Sequence, residues 1–144
     1  MDGNRAMSRK VVVVGAGAVG ATFAYALAQD GTAGEIVLTD LDRDTAEGQV
    51  LDLAHGLPFF EPVRIRVGDT SDYADASVIV ITAGAAQKPG ESRLDLLQKN
   101  AKIVENVVDQ ITSQPTSAVM VVVSNPVDVL TQVALKRCGW PKSR

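Results

Sequence analysis

The ten residues Val11-Val12-Val13-Val14-Gly15-Ala16-Gly17-Ala18-Val19-Gly20 constrain this chain more than any other stretch. Four consecutive β-branched residues fit a strand buried on both faces, as in the middle of a parallel sheet. The strand runs straight into Gly-x-Gly-x-x-Gly, after which Phe23, Leu27 and alanines 21, 24, 26 and 28 read as a helix. Bare amide N–H groups and the positive end of the helix dipole then face any bound anion. The missing side chains let a pyrophosphate come close. Glycine turns are common, so the motif alone does not decide.

A second strand, Glu35-Ile36-Val37-Leu38-Thr39-Asp40, follows at the expected interval, with Asp40 at its carboxyl end. An acid about 20 residues beyond such a turn accepts hydrogen bonds from the adenosine ribose of a dinucleotide. Its charge would repel a 2′-phosphate, so NAD is expected rather than NADP. The alternative for Asp40 is a helix cap or a turn residue.

Length fits one domain, with a core of Val, Ile, Leu and Ala because only 4% of the chain is aromatic against 46% hydrophobic. The net charge of −3 comes without a Lys/Arg cluster, which argues against a nucleic-acid partner. No apolar run approaches the ~20 residues of a membrane span, and no secretory signal is seen. The one cysteine, Cys138, permits no internal disulfide. A cytoplasmic protein without a metal is expected.

Residues 1–9 are expected to form a flexible leader, and residues 10–144 a dinucleotide-binding domain. Asp44-Thr-Ala-Glu47 has capping-box spacing at the start of a second helix through Leu57. Val63, Ile65 and Val67 alternate as a third strand, and Ser77 to Thr82 reads as a fourth, fully buried one. A loop through Gln87, Lys88, Pro89 and Gly90 leads to a long helix from Ser92, with Leu97, Ala101, Val104, Val108 and Ile111 on one stripe. Ala118 to Val123 is the fifth strand. Asn125 then offers a cap, Pro126 a first helical turn, and Gly139 a stop, with Cys138 on the apolar side of the last helix. Alternating strands and helices mean an α/β fold, a doubly wound parallel sheet with right-handed crossovers.

Taken together, Gly15-x-Gly-x-x-Gly20, Asp40, Asp52-Leu-Ala-His-Gly56, Thr82-Ala-Gly84, Gln87-Lys-Pro-Gly-Glu-Ser-Arg93 and Ser124-Asn-Pro126 resemble the lactate/malate dehydrogenase family, from about Lys10 to Arg144. The resemblance implies a Rossmann-type NAD-binding domain with five of the family's six strands, in order 3-2-1-4-5-6. It assigns Gly15, Gly17, Val19 and Gly20 to the pyrophosphate turn and Asp40 to the ribose. Gly84 and Ala85 would line the cofactor groove, Asn125 would touch cofactor and substrate, and a cis peptide would lie at 125–126. Residues 87–93 would be a mobile lid, with Arg93 polarising the substrate carbonyl. On bare sequence that loop also reads as a charged surface hairpin, and Asn125-Pro126 as a plain helix cap.

Gln87 falls where the family selects its substrate. Malate enzymes have arginine there, to pair with a second carboxylate. A neutral amide suits pyruvate/lactate, then longer 2-oxo acids. His55, the sole histidine, does not match the family's catalytic histidine and reads as a helix-end or subunit-contact residue. The family's catalytic histidine, its aspartate partner and the carboxylate-clamping arginine belong to a C-terminal catalytic domain absent from this sequence. The chain is therefore expected to bind NAD(H) without turnover. Strand five would form an apolar sheet edge, so a homo-oligomer is expected, through that edge or the second helix (residues 44–57). The competing expectations are a malate or other 2-hydroxyacid dehydrogenase and a non-catalytic NAD-binding module.

Overall fold

The computed structural model describes residues 9–144. Residues 1–8 of the expected leader lie outside the described residues. Arg9 belongs to the fold: its carbonyl accepts the N–H groups of Gly34 and Glu35 at 3.1 and 3.3 Å. Five strands, β1 (Lys10–Val14), β2 (Glu35–Thr39), β3 (Arg64–Val67), β4 (Val78–Ile81) and β5 (Val119–Val122), form one sheet in the order β3-β2-β1-β4-β5. Every pairing is parallel. The helices are α1 (Ala18–Asp30), α2 (Arg43–Gly56), α3 (Arg93–Thr112) and α4 (Val127–Cys138). The expected α/β architecture and strand order are thus present.

Strand alternation divides the core in two. Val11, Val13, Ile36, Leu38 and Val80 face α1 and α2, packing on Ala24, Ala28, Ala46 and Leu53. Val12, Val14, Val37, Ile79 and Ile81 face the other way, on Val104, Val108, Ile111 and Leu130 of α3 and α4. Each such aliphatic side chain, withdrawn fully from water, contributes roughly 1.5–3 kcal/mol. Parallel topology puts the carboxyl ends of all five strands on one edge of the molecule. The loops that leave them for the helices meet there.

Two expected caps are placed differently. The acid that caps α2 is Asp42, whose side chain accepts the Asp44 N–H at 3.2 Å. Asp44 lies inside the first turn, where its charge favours the helix dipole, and Glu47 pairs with Arg43 at 2.8 Å instead of closing a box. At α4 the cap position is Pro126 and no side chain caps it, so Asn125 is not the helix cap. The Asn125–Pro126 peptide is cis, as the resemblance implies. Gly139 stops α4 with φ +65°, a left-handed conformation that glycine adopts without penalty. Cys138 is half-buried against the α3–α4 core.

β5 is an edge strand, and its side chains Val119 and Val121 are each 41% exposed. The edge is nevertheless partly covered. Arg144 accepts the Met120 N–H through its carbonyl at 3.0 Å. Its guanidinium donates to the carbonyls of Thr116 at 2.8 Å and Ala118 at 3.2 Å, and lies 4.1 Å over the Trp140 ring.

A charged cluster invisible to periodicity sits under the β3 half of the sheet. Lys10 donates to Asp72 at 2.7 Å and to Asp75 at 2.6 Å, and Arg66 donates to Glu35 at 2.7 Å and takes Asp72 with both terminal nitrogens. Burial opposes the charge on Asp72, but the hydrogen bonds from Arg66 and Lys10 outweigh it and hold the carboxyl well below its usual range. Burial likewise opposes the charge on Lys10, and Asp72 and Asp75 reverse that, raising it.

Candidate functional site: the carboxyl edge of the sheet

The glycine turn is shaped by contacts that admit no side chain. Gly15 has φ +107°, and a Cβ there would stand 2.8 Å from the Ala83 nitrogen and the Thr82 hydroxyl. At Gly20 a Cβ would stand 1.8 Å from the Gly15 carbonyl oxygen, so α1 packs directly on the turn. The Thr82 hydroxyl ties β4 to the same place, donating within reach of the Val14 and Gly15 carbonyls at 3.1 and 3.0 Å. Gly17 is the contrast: nothing lies within 4 Å of its would-be Cβ. Gly17 is also the N-cap of α1, with no side-chain cap bond, and Val19 stands 57% exposed in the first turn. Amides at the positive end of a helix, open space and no capping side chain suit an anion.

Asp40 closes one side of this cradle. Its Oδ2 accepts the Ala16 N–H at 2.7 Å and its Oδ1 accepts the Asp42 N–H at 2.9 Å, so the carboxylate is fixed beside the turn. It is an Asx-type turn residue as well as a ribose-binding candidate. Each oxygen keeps a lone pair for a hydroxyl. A shallow groove of about 470 Å³ runs alongside, lined by Ala18, Val19, Thr22, Phe23, Thr82 and Val123. A hollow of about 580 Å³, between Tyr25, Gln29 and the Pro58–Glu61 segment, includes none of the expected site residues.

The loop from β4 to α3 forms the other side. Its first residues rest on Asn100, whose Oδ1 accepts the Ala85 N–H at 2.8 Å. Ser124 bridges the β4 and β5 loops by donating to the Ala83 carbonyl at 2.6 Å. Further out, Gln87 and Arg93 are exposed. Gln87 donates to the Glu91 carbonyl at 2.8 Å, and Glu91 accepts the Lys88 N–H at 2.9 Å, closing a small loop whose bend uses Gly90 at φ +81°. Arg93 is the first residue of α3, inside the Ser92–Asp95 capping box. Asn125 is exposed at the end of β5. The expected residues therefore lie on the loops and helix starts of one edge. His55 does not: it is exposed in the last turn of α2, which runs away from that edge. Asn100 and Ser124 were not anticipated as site residues.

A turn that excludes Cβ atoms, an uncapped helix N-terminus and an oriented carboxylate together fit a dinucleotide. A family profile described as lactate/malate dehydrogenase, NAD binding domain, matches residues 9–144. The chain belongs to that family. NAD is the cofactor of this domain, and Gly15–Gly20 with Asp40 fit it by the geometry above. The L-lactate dehydrogenase of Treponema denticola is 57% identical over 136 residues, covering 94% of this chain and 43% of the relative. L-lactate dehydrogenase 1 of Clostridium acetobutylicum is 47% identical over 135 residues, covering 94% and 43%. The ligand-bound minor L-lactate dehydrogenase of Enterococcus mundtii superposes with a TM-score of 0.93 at 42% identity, covering 96% of this chain and 44% of that one. The chain thus spans less than half the length of these relatives. Among the described residues, no group of His, Cys, Asp and Glu is arranged to hold a metal, and no helix is long and apolar enough to cross a membrane.

Proposed function

We propose that this chain is the cofactor half of an NAD-dependent L-lactate dehydrogenase, acting in the complete protein on pyruvate and lactate. The observation that carries the reading is Gln87, a neutral amide on the loop that also brings Arg93 to the cofactor edge. NADH, when bound, supplies a hydride. Arg93 offers a planar fork of donors to the substrate carbonyl oxygen, stabilising the charge that develops there. Gln87 faces the far end of the substrate. It gives a methyl group no penalty and gives a second carboxylate no counter-charge, which disfavours oxaloacetate. To take that position it exchanges its present bond to the Glu91 carbonyl.

Gly15, Gly17, Val19 and Gly20 receive the pyrophosphate, Asp40 accepts from the adenosine ribose, and Gly84, Ala85 and Asn125 meet the nicotinamide side. In this reading residues 10–144 are one dinucleotide-binding unit. A hydroxy-acid oxidation also needs a group to carry the proton. The chain's one imidazole, His55, is on the wrong end of α2 for that. We therefore expect the 144 residues alone to bind NAD(H) without turnover. The exposed valines of β5 and the surface of α2, where Leu51 is 61% exposed, support self-association. The lone half-buried Cys138 is in keeping with a cytoplasmic protein.

The test is NADH oxidation with pyruvate and with oxaloacetate, on this chain and on a form extended past Arg144. Turnover of pyruvate only in the extended form is the expected result. Turnover by the short chain overturns the inactivity claim, and preference for oxaloacetate overturns the substrate assignment. In the extended form, Gln87→Arg should move preference toward oxaloacetate. Sedimentation that shows only monomer at high concentration would rule out self-association.

A further inference from the structure

We propose that Asn100 is a positioning residue for the nicotinamide side of the site, holding the β4–α3 loop and the β5–α4 loop in fixed relation through one buried amide. Asn100 interrupts the inward stripe of α3 that continues as Val104, Val107, Val108 and Ile111, and it is only 4% exposed. A carboxamide buried among aliphatic groups is unfavourable unless its donors and acceptor are used. Here the acceptor and one donor are used by backbone atoms of two different loops. The Ala85 N–H donates to Oδ1 at 2.8 Å, which requires the oxygen to face that loop. The Nδ2 group is thereby turned to the other loop, where it reaches the Asn125 carbonyl at 3.5 Å.

Gly84 lies beside the same amide, since a Cβ built there would sit 3.6 Å from Oδ1. Ser124 adds a second tie by donating to the Ala83 carbonyl. Residues 83 to 85 are thus held from below by two polar side chains in a segment that belongs to neither strand nor helix. The hydrogen bonds of Asn100 go to Ala85 and Asn125, and none of them to the glycine turn or to Asp40. Its loss should release the loops on one side of the cofactor and leave the other side intact. This rests on the reading that Gly84, Ala85 and Asn125 meet the nicotinamide half.

The experiment is calorimetric titration of the 144-residue chain with NADH and, separately, with ADP, which carries only the adenosine and pyrophosphate. Asn100→Leu, similar in volume and without hydrogen-bonding groups, should weaken NADH binding about tenfold and leave ADP within about twofold, given the usual penalty for unpaired buried amides. Asn100→Asp keeps an acceptor for Ala85 but replaces the donor to Asn125 by an oxygen facing that carbonyl, and should show the same split between the two ligands. Hydrogen exchange at the Ala85 amide, read without ligand, should quicken in Asn100→Leu. A change in neither ligand, or an equal loss of both, overturns the proposal. If Asn100→Leu does not fold, the same split in Asn100→Asp decides. Failure of the wild-type chain to bind ADP would instead overturn the NAD site itself, and failure to gain affinity from ADP to NADH would overturn the nicotinamide assignment.

Discussion

The glycine turn and the charged cluster under β3 solve opposite packing problems within one sheet. At the turn, backbone meets backbone: Gly20 tolerates nothing beyond a hydrogen because the Gly15 carbonyl lies where a Cβ would be. Under β3, five charged side chains satisfy one another, with Asp72 between Lys10 and Arg66. The first arrangement leaves amides and room for a ligand. The second leaves neither. Stability and binding are thus placed in different parts of the fold, and substitutions should separate them.

The largest effect is expected where the two functions coincide, at the base of the turn. Gly20→Ala forces the Gly15 carbonyl and α1 apart, against the backbone of the turn itself rather than a flexible side chain. Overpacking of that kind costs about 3 kcal/mol or more, and binding should fail with it. A urea midpoint close to wild type would show that the turn yields easily and that the steric account is wrong.

Asp72→Asn should rank next and should leave NADH affinity alone. It leaves two cations facing a neutral amide, a loss of about 3 kcal/mol for a buried pair broken on one side. Its pH dependence gives a second check. The folded-state carboxyl lies below its ordinary 3.8, so its contribution is present above about pH 4 and is lost as pH falls further. Unfolding free energy measured from pH 6 down to pH 2 should therefore fall less steeply in Asp72→Asn than in wild type. Parallel slopes would mean that the cluster does not govern acid stability.

How much of this was legible follows the same division. The turn, its strand and Asp40 announce themselves because their constraints are local: β-branched run, glycine spacing and strand end lie within thirty residues. The cluster does not, since Lys10 and Asp72 are 62 residues apart and each alone reads as a solvated charge. Asn100 was hidden for a related reason. On a helix stripe an asparagine looks like an interruption until the loops above it are in place. At α2 three acids, Asp40, Asp42 and Asp44, stand at alternate positions, and spacing alone favoured the wrong one as the cap. The cover that Arg144 gives β5 depends on the chain folding back beyond Trp140, which no periodicity encodes.

Asp40→Ala probes the one side chain that serves both ends of the comparison. It removes acceptors from the Ala16 and Asp42 N–H groups and should lower stability by about 1–2 kcal/mol. NADH affinity should drop roughly tenfold by loss of the ribose contact. Titration at a temperature where the variant remains folded separates the two. Unchanged affinity would leave Asp40 a turn residue only.

Gly17→Ala should have the smallest effect on stability and so sharpens the contrast most. Its φ of −72° and ψ of −170° are open to any residue, and no atom lies within 4 Å of the added methyl. Alanine is a poorer N-cap than glycine by about 0.5 kcal/mol, and that is the whole expected change in stability. The methyl, however, projects into the space over the α1 amides where a pyrophosphate must approach. NADH and ADP should both bind about tenfold more weakly. Asp72→Asn would then be destabilised yet bind normally, and Gly17→Ala stable yet weakened in binding. If Gly17→Ala binds both ligands normally, the phosphate does not lie against this turn, and Gly15 and Gly20 are there only to pack α1 on β1.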